Sequence, residues 1–374
     1  MARAPRSHRT RSRHGCATVS VARPRSFQYD PARMAAPPFP RVPLRFREVL
    51  VEKPWGGRRL AAVMGKKLPP KKNIGESWEV SCREGAVSVV ADGPFKGKSL
   101  RSLLDKFPVE ILGRDIAGGW RGNFPLLVKV IDVAAPLSVQ VHPSDEFASI
   151  AEGEGVPGKI EAWIVLAAGP KARLYKGLVP GMTREKFTAA LARGEAGGCL
   201  NVFPLAEGDI ILMPPGTVHS AEDVTFAEFQ QNSDTTYRLW DWGRGGRAVQ
   251  LEKGLAAIDW HTTGLAKCKS AEIRENLRTY EMLKVKRGTG KGKREVLIWC
   301  GRFVLESLTF SGKAHWSGDP TRFYVVMAVE GQGEFVIGGK SHKWKKGQTF
   351  LMPSALGEYE IRTRSGRLLW CYVP

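Results

Sequence analysis

The sequence predicts a mainly β protein made of two related β-barrels of the jelly-roll type, with a few short helices. Three observations carry this. Short alternating or β-branched apolar runs recur along the chain between Gly and Pro turns, which is the pattern of a sandwich or barrel and not of a helical bundle. Gly208-Asp-Ile-Ile-Leu-Met213-Pro214 and Gly347-Gln-Thr-Phe-Leu-Met352-Pro353 repeat one another: a turn, an apolar strand, then a proline turn into a further strand. And 374 residues are enough to bury two such cores.

In chain order, residues 1–45 are rich in Arg, Ser, Pro and Ala, lack a hydrophobic period, and read as a basic disordered tail. Residues 1–33 hold eight arginines against the single acid Asp30. This composition is similar to an organelle transit peptide, and the plainer reading is a dispensable extension ahead of Met34. From Leu44 the chain turns strand-like. Gly75–Ser81 and Ala86–Val90 alternate between glycines, and further strands are expected at 124–133, 137–142, 160–167, 171–176, 209–213, 217–220 and 224–231. Helices are expected at 99–112 with Ser99 as N-cap, at Thr183–Ala192 with Thr183 as N-cap and Glu185 in the first turn, and at Leu251–Ile258. Residues 262–294 are polar and Lys/Gly-rich and read as a linker or exposed hairpin, after which short strands resume.

Composition excludes several functions. With 43% hydrophobic and 25% charged residues the chain is an ordinary globular one. No apolar run reaches the roughly 18–20 residues of a membrane span, so no membrane association is expected. The net charge is +20, but the basic residues of the body are dispersed, without an aromatic-interleaved RNA motif or a helix-turn-helix, so nucleic acid is not the expected partner. An anionic small substrate fits the charge. Six scattered cysteines without a C-x-x-C pair suit a reducing compartment, and a cytoplasmic location is expected.

The most informative stretch is Leu137-Ser-Val-Gln140-Val-His142-Pro143. Strand alternation points Gln140 and His142 the same way. Glu161 opens the apolar run Ala162–Leu166, where an unpaired carboxylate is costly, and His219 occupies a similar strand context. A lone strand-end histidine is most often structural, but one divalent cation would satisfy all four groups. Two imidazoles, a carboxylate and an amide oxygen suit Zn²⁺ or another borderline first-row metal, and a site without thiolates is of the catalytic, open type. The expected organisation is therefore the tail at 1–45, a metal-binding catalytic domain at 46–261, the linker at 262–294 and a barrel without metal ligands at 295–374. Aligning the repeats sets His219 opposite Glu358, and His315 and His342 match none of the first copy's ligand positions. A second polar cluster, Glu228 to Arg238, lies among aromatics; read by itself, Arg238 could simply pair with Asp234 or Asp241.

Six blocks carry a resemblance to a known family. They are Lys53-Pro-Trp-Gly-Gly57, Gly75-Glu-Ser-Trp-Glu-Val-Ser81, Pro136–Pro143, Gly158-Lys-Ile-Glu-Ala-Trp163, Pro215-Gly-Thr-Val-His219 and Gln231-Asn-Ser-Asp-Thr-Thr-Tyr-Arg238. In this order residues from about 48 to 245 resemble a type I mannose-6-phosphate isomerase of the short, cupin-fold kind. The resemblance implies one zinc per chain held by Gln140, His142, Glu161 and His219, with Arg238 catalytic near the reacting carbons. Lys129, Ser138, Lys159, Glu228 and Asp234 occupy places similar to other pocket residues of the family. Lys159, Glu228 and Asp234 are candidates for the catalytic set, and Lys129, Ser138 and Lys159 for phosphate contact. The implied reaction interconverts mannose 6-phosphate and fructose 6-phosphate through an enediol. The base could be Glu228, Asp234 or a metal-bound water. Two departures stand out: Gly158 replaces the histidine of a His-Lys-Pro-Glu motif found in some relatives, and only one short helix fits between Glu161 and His219. The competing readings are a cupin isomerase for another sugar or sugar phosphate, an iron cupin oxygenase, and a sugar-binding cupin without turnover.

Overall fold

β-Branched and aromatic runs between glycine turns give seventeen strands among residues 39–119, 122, 124–261 and 292–374, the part of the chain that the computed structural model describes. The expected tail before residue 39 and most of the expected linker lie outside the described residues. The first half contains β1 (Leu44–Arg47), β2 (Val49–Gly57), α1 (Arg59–Met64), β3 (Ile74–Val80), β4 (Val89–Val90), α2 (Leu100–Lys106), α3 (Pro108–Leu112) and α4 (Arg114–Gly118). It continues with β5 (Leu126–Val133), β6 (Val139–Val141), α5 (Asp145–Glu152), β7 (Glu161–Leu178), α6 (Arg184–Arg193), β8 (Leu200–Pro204), β9 (Ile210–Met213), β10 (His219–Gln231), β11 (Tyr237–Trp240) and α7 (Leu251–Ala257). The second half is all strand apart from one 3-10 turn: β12 (Gly292–Trp299), β13 (Val304–Trp316), β14 (Tyr324–Ile337), β15 (Lys340–Lys345), β16 (Thr349–Met352) and β17 (Tyr359–Tyr372).

Two antiparallel sheets result. One runs β11-β6-β10-β5-β2-β3, with β7 also on β10 and β8 and β9 on β7; the other runs β12-β13-β17-β14-β16-β1-β4, with β15 on β14. The mainly β, two-barrel class is observed. The internal repeat is structural as well: β9 pairs with β7 through Glu161↔Met213, and β16 pairs with β14 through Tyr324↔Met352. Tyr324 thus stands in the second barrel where Glu161 stands in the first.

The halves share one core. β1 pairs with β16 of the second barrel, and the boundary expected at 45/46 falls inside this strand. Ahead of β1, Phe39 packs on Phe95 and Phe107 with ring centroids 5.3 Å away. Leu44 and Phe46 are buried with Val80, Leu126, Leu297 and Leu351, and Phe124 meets Phe323 at 4.9 Å between centroids. Each such side chain contributes about 1.5–3 kcal/mol on burial.

Several expected elements change in extent. The helix at 99–112 begins as expected, with Ser99 accepting from the Ser102 amide, but Pro108 divides it. Proline lacks a donor and keeps its predecessor out of the α region, and Phe107 sits at φ −132°. Thr183 caps α6 as expected, accepting from the Lys186 amide. The pairs of strands expected at 160–167 with 171–176, and at 217–220 with 224–231, are the single bent strands β7 and β10. Their register shifts at Glu222/Val224, where Asp223 takes a φ of +53°. β6 is shorter than expected, so His142 lies one residue beyond its end. Only Val89–Val90 of the 86–90 run forms strand.

A candidate metal site and its charged surroundings

Register places the site. In an antiparallel pair, partners share a face. Gln140 on β6 is the partner of both His219 on β10 and Arg238 on β11. Lower on β10, Gln230 opposes Glu161, while Glu228 opposes Trp163 on one side and Lys129 of β5 on the other. Lys129 in turn opposes Trp78 of β3. One barrel face therefore collects nearly every polar residue that the sequence singles out, far apart in the chain and all but Asp234 largely enclosed.

His142, Glu161 and His219 each offer an atom lying within 4.8 Å of the others'. His142 Nε2 is 3.4 Å from Glu161 Oε2, and His219 Nε2 is 3.3 Å from Oε1. Gln140 Nε2 is 3.2 Å from His219 Nε2. Each imidazole spends its other nitrogen on a carbonyl, His142 Nδ1 on Thr235 O at 3.1 Å and His219 Nδ1 on Thr217 O at 2.9 Å. That fixes Nδ1 as the protonated nitrogen and turns both Nε2 lone pairs toward the carboxylate. Burial, with Lys159 adding to it, pushes the His142 pKa down to about 3, so the ring is neutral. His142 Nε2 and Glu161 Oε1 are buried without a hydrogen bond, and Glu161 Oε2 has the Lys159 ammonium beside it. Lone pairs facing a carboxylate in a dry site are repulsive unless a cation lies between them, and the donor set fits a borderline divalent metal. The Ser138 hydroxyl holds Gln140 Oε1 at 3.1 Å. Because a hydroxyl both donates and accepts, the amide can turn over without losing Ser138 and present its oxygen. Among the described residues no second such cluster occurs, and the second barrel carries Tyr324 in the place of Glu161.

Beside this cluster lies a charged one. Lys159 Nζ is 2.9 Å from Glu161 Oε2. Burial raises the Glu161 pKa, but Lys159 and His142 outweigh it and hold the carboxyl well below the usual range. Lys129 is buried between Glu228 at 3.4 Å, Asp234 at 3.6 Å and Glu76 at 3.9 Å, above the Trp78 ring. Burial pulls the Lys129 pKa down, and the three carboxylates more than reverse it. Glu228 goes the other way: burial first, then the Glu161 charge, lift it to about 7 despite Lys129. Trp163 Nε1 donates to Glu228 Oε1 at 3.1 Å. Asp234 is largely exposed in comparison, and Lys129 and Lys159 overcome its partial burial to keep it below the normal aspartate range. Arg238 pairs with neither expected acid. Asp241 is taken by Arg244 and Arg247, and Arg238 Nη1 donates to Ala248 O at 2.6 Å while its Nε is buried without a partner.

Sequence reasoning gave Glu76, Lys53 and Trp163 no role in the site. Glu76 meets Lys53 at 3.0 Å and accepts from Trp78 Nε1 at 2.6 Å. Burial pushes Glu76 up, but Lys129 and Lys53 hold it below the usual range. The signal was present in a strand that is buried on both faces yet carries Glu76 and Glu79.

A family model described as phosphomannose isomerase type I, catalytic domain, matches residues 44–157. The Bacillus subtilis mannose-6-phosphate isomerase ManA is 32% identical over 326 residues, covering 85% of this chain and 95% of that protein. The chain belongs to the type I phosphomannose isomerase family. A mannose-6-phosphate isomerase of Streptococcus mutans is 29% identical over 326 residues, covering 85% of this chain and 95% of its own. The crystal structure of the mannose 6-phosphate isomerase from Bacillus subtilis superposes with a TM-score of 0.74 at 27% identity, over 88% of this chain and 99% of that one. In this type I phosphomannose isomerase no side chain fits at position 158. A Cβ on Gly158 would lie 2.4 Å from the Ser144 carbonyl carbon and 2.5 Å from the Asp145 amide nitrogen.

Proposed function

We propose that this family member is a zinc-dependent aldose–ketose isomerase interconverting mannose 6-phosphate and fructose 6-phosphate, with one ion held by Gln140, His142, Glu161 and His219. The observation that carries the reading is the juxtaposition of two kinds of group on one face. Three convergent ligand atoms lie within 4.8 Å of one another, and Glu228 beside them has a pKa of about 7, matched to proton transfer near neutral pH. When bound, a divalent ion supplies Lewis acidity toward the sugar oxygens.

The remaining roles fall to the chain's own side chains. Glu228 takes the proton from one sugar carbon and returns it to the neighbouring one. The Trp163 N–H holds Oε1, and Oε2, which makes no hydrogen bond and faces the Lys129 ammonium at 3.4 Å, is the oxygen for the transfer. Asp234, kept acidic by its lysines, is the poorer base. Arg238, on the strand opposite Gln140, supplies fixed positive charge where the enediolate oxygen develops. Ringed by three carboxylates, Lys129 is suited to holding Glu228 and Asp234 in place. With Glu161 engaged in ligation, the Lys159 ammonium is left to take the phosphate. Ser138 acts through the amide of Gln140. Ring opening cannot use a side chain at position 158, where none fits.

The test is an isomerase assay on mannose 6-phosphate with coupled detection of fructose 6-phosphate, run with added zinc and after chelation. Turnover lost on chelation and restored by zinc is expected. Turnover that ignores chelation would remove the metal from the mechanism, and faster turnover of another sugar in a substrate panel would transfer the reading to that sugar.

A further inference from the structure

The segment carrying Lys159 and Glu161 is fastened residue by residue. The Gly158 amide donates to Asp145 Oδ1 at 2.8 Å, the Lys159 amide to Pro143 O at 3.0 Å, and the Ile160 amide to Gln231 Oε1 at 3.0 Å. The Gln231 side chain is itself held, donating from Nε2 to the same Asp145 Oδ1 at 3.0 Å. Asp145 therefore governs two of the three bonds, one directly and one through Gln231. Its other oxygen, Oδ2, faces the guanidinium of Arg302, which lies in the turn between β12 and β13 of the second barrel. Asp145 is three residues from His142, and the fastened segment leads straight into Glu161. The absence of a Cβ at Gly158 is what lets the two stretches of backbone approach so closely.

We propose that Asp145 is a positioning residue that sets the spacing between His142 and the Lys159–Glu161 pair, and that Arg302 is the second barrel's contribution to this arrangement. The proposal rests on the metal-site reading above. It gives the ligand-free barrel a part in the site, because the cation that orients Asp145 comes from there. An exposed ion pair is by itself worth little to stability, so the role is one of orientation: with Oδ2 turned to Arg302, Oδ1 points at the segment it must hold. Outer groups that orient ligands typically change metal affinity by about 10–100-fold when removed.

The experiment measures zinc affinity by competition with a chromogenic chelator, alongside isomerase kinetics, for the full-length wild-type protein and for Asp145→Ala, Asp145→Asn and Arg302→Ala. Asp145→Ala is expected to weaken zinc binding about tenfold or more and to lower kcat. Asp145→Asn keeps an acceptor oxygen for both amides and should restore affinity to within a few-fold of wild type. Arg302→Ala removes only an exposed partner, folds normally, and should show a smaller loss in the same direction. Wild-type zinc affinity in both Asp145→Ala and Arg302→Ala would overturn the proposal. So would an Asp145→Asn variant as impaired as Asp145→Ala, since the charge and not the bonds would then matter. If Asp145→Ala does not fold, Arg302→Ala and Gln231→Ala decide the question, the latter releasing the Ile160 amide and being expected to weaken zinc binding. Failure of the functional reading looks different: the wild-type protein itself would bind no zinc or turn over no sugar phosphate.

Discussion

In the proposed mechanism Glu228 carries the proton transfer. Its pKa of about 7 comes from burial and from the charge of Glu161. A divalent ion on Glu161 cancels the second cause, so the metal-loaded enzyme should titrate Glu228 below 7. If the ionised carboxylate is the base, kcat/KM falls about tenfold per pH unit on the acid side of that value. A pH–rate profile of the zinc-loaded protein checks this, and a flat profile between pH 5 and 8 would assign the base elsewhere. The same shift has a stability consequence in the metal-free protein. The folded chain retains a proton that the unfolded chain releases between about 4.5 and about 7. The contribution of Glu228 is then full below pH 4.5 and lost as the pH rises to about 7. Glu228→Gln should abolish turnover yet flatten that decline in a series of thermal melts. For Arg238 the expectation is simpler: Arg238→Ala costs about 10²–10³ in kcat while zinc content and melting temperature stay near wild type. At this scale the meeting of Gln140, His142, Glu161 and His219 was legible because polar side chains inside apolar strands demand partners, whereas Arg238 was singled out by the family resemblance. Glu76 was not, because its charge is answered by Lys53 and Lys129, and nothing local in the sequence says that those three meet.

Elements were legible wherever local chemistry decides them and illegible where tertiary contacts do. Ser99 and Thr183 cap their helices as their side chains dictate. β7 and β10 run through the polar interruptions that suggested breaks, since their mutual ladder continues across a bulge. β3 shows the limit most plainly. On one side Glu79 accepts from Ser77, Lys66 and Thr349, while on the other Glu76 and Trp78 look into the site, so no side of the strand is a solvent face and alternation carries no signal. The corner at Gly158 is the sharpest prediction of this scale. A Cβ there meets backbone atoms at 2.4 and 2.5 Å, which no side-chain rotation relieves. Gly158→Ala should cost about 2–4 kcal/mol in denaturant unfolding and displace the Lys159–Glu161 segment. An alanine variant within 0.5 kcal/mol of wild type would show that the backbones can part, and with that the tight spacing of this corner would lose its importance.

In the whole molecule the two barrels are joined by strand pairing and by buried side chains. β1 belongs by hydrogen bonding to the second barrel, although it leads directly into β2 of the first. Across the same seam, buried Lys66 donates to Glu79 at 2.7 Å and to Gly347 O at 2.8 Å, and Thr349 donates to Glu79 at 3.1 Å. Ser77 completes the set by donating to the other Glu79 oxygen at 2.7 Å. Removing one partner of such a buried pair strands a charge, at a cost of about 3–5 kcal/mol. Lys66→Ala should therefore lower stability by that amount, and because Glu79 touches both barrels, the loss should appear in both. Denaturant unfolding followed by near-ultraviolet circular dichroism, which reports the tryptophans of both barrels, should coincide with the loss of isomerase activity, which reports the site in the first barrel. One shared transition, shifted to lower denaturant in the variant, is the expected result. Two resolved transitions, with activity surviving the earlier one, would mean that the seam is only a contact between independent domains, and the second barrel could not then orient Asp145 through Arg302.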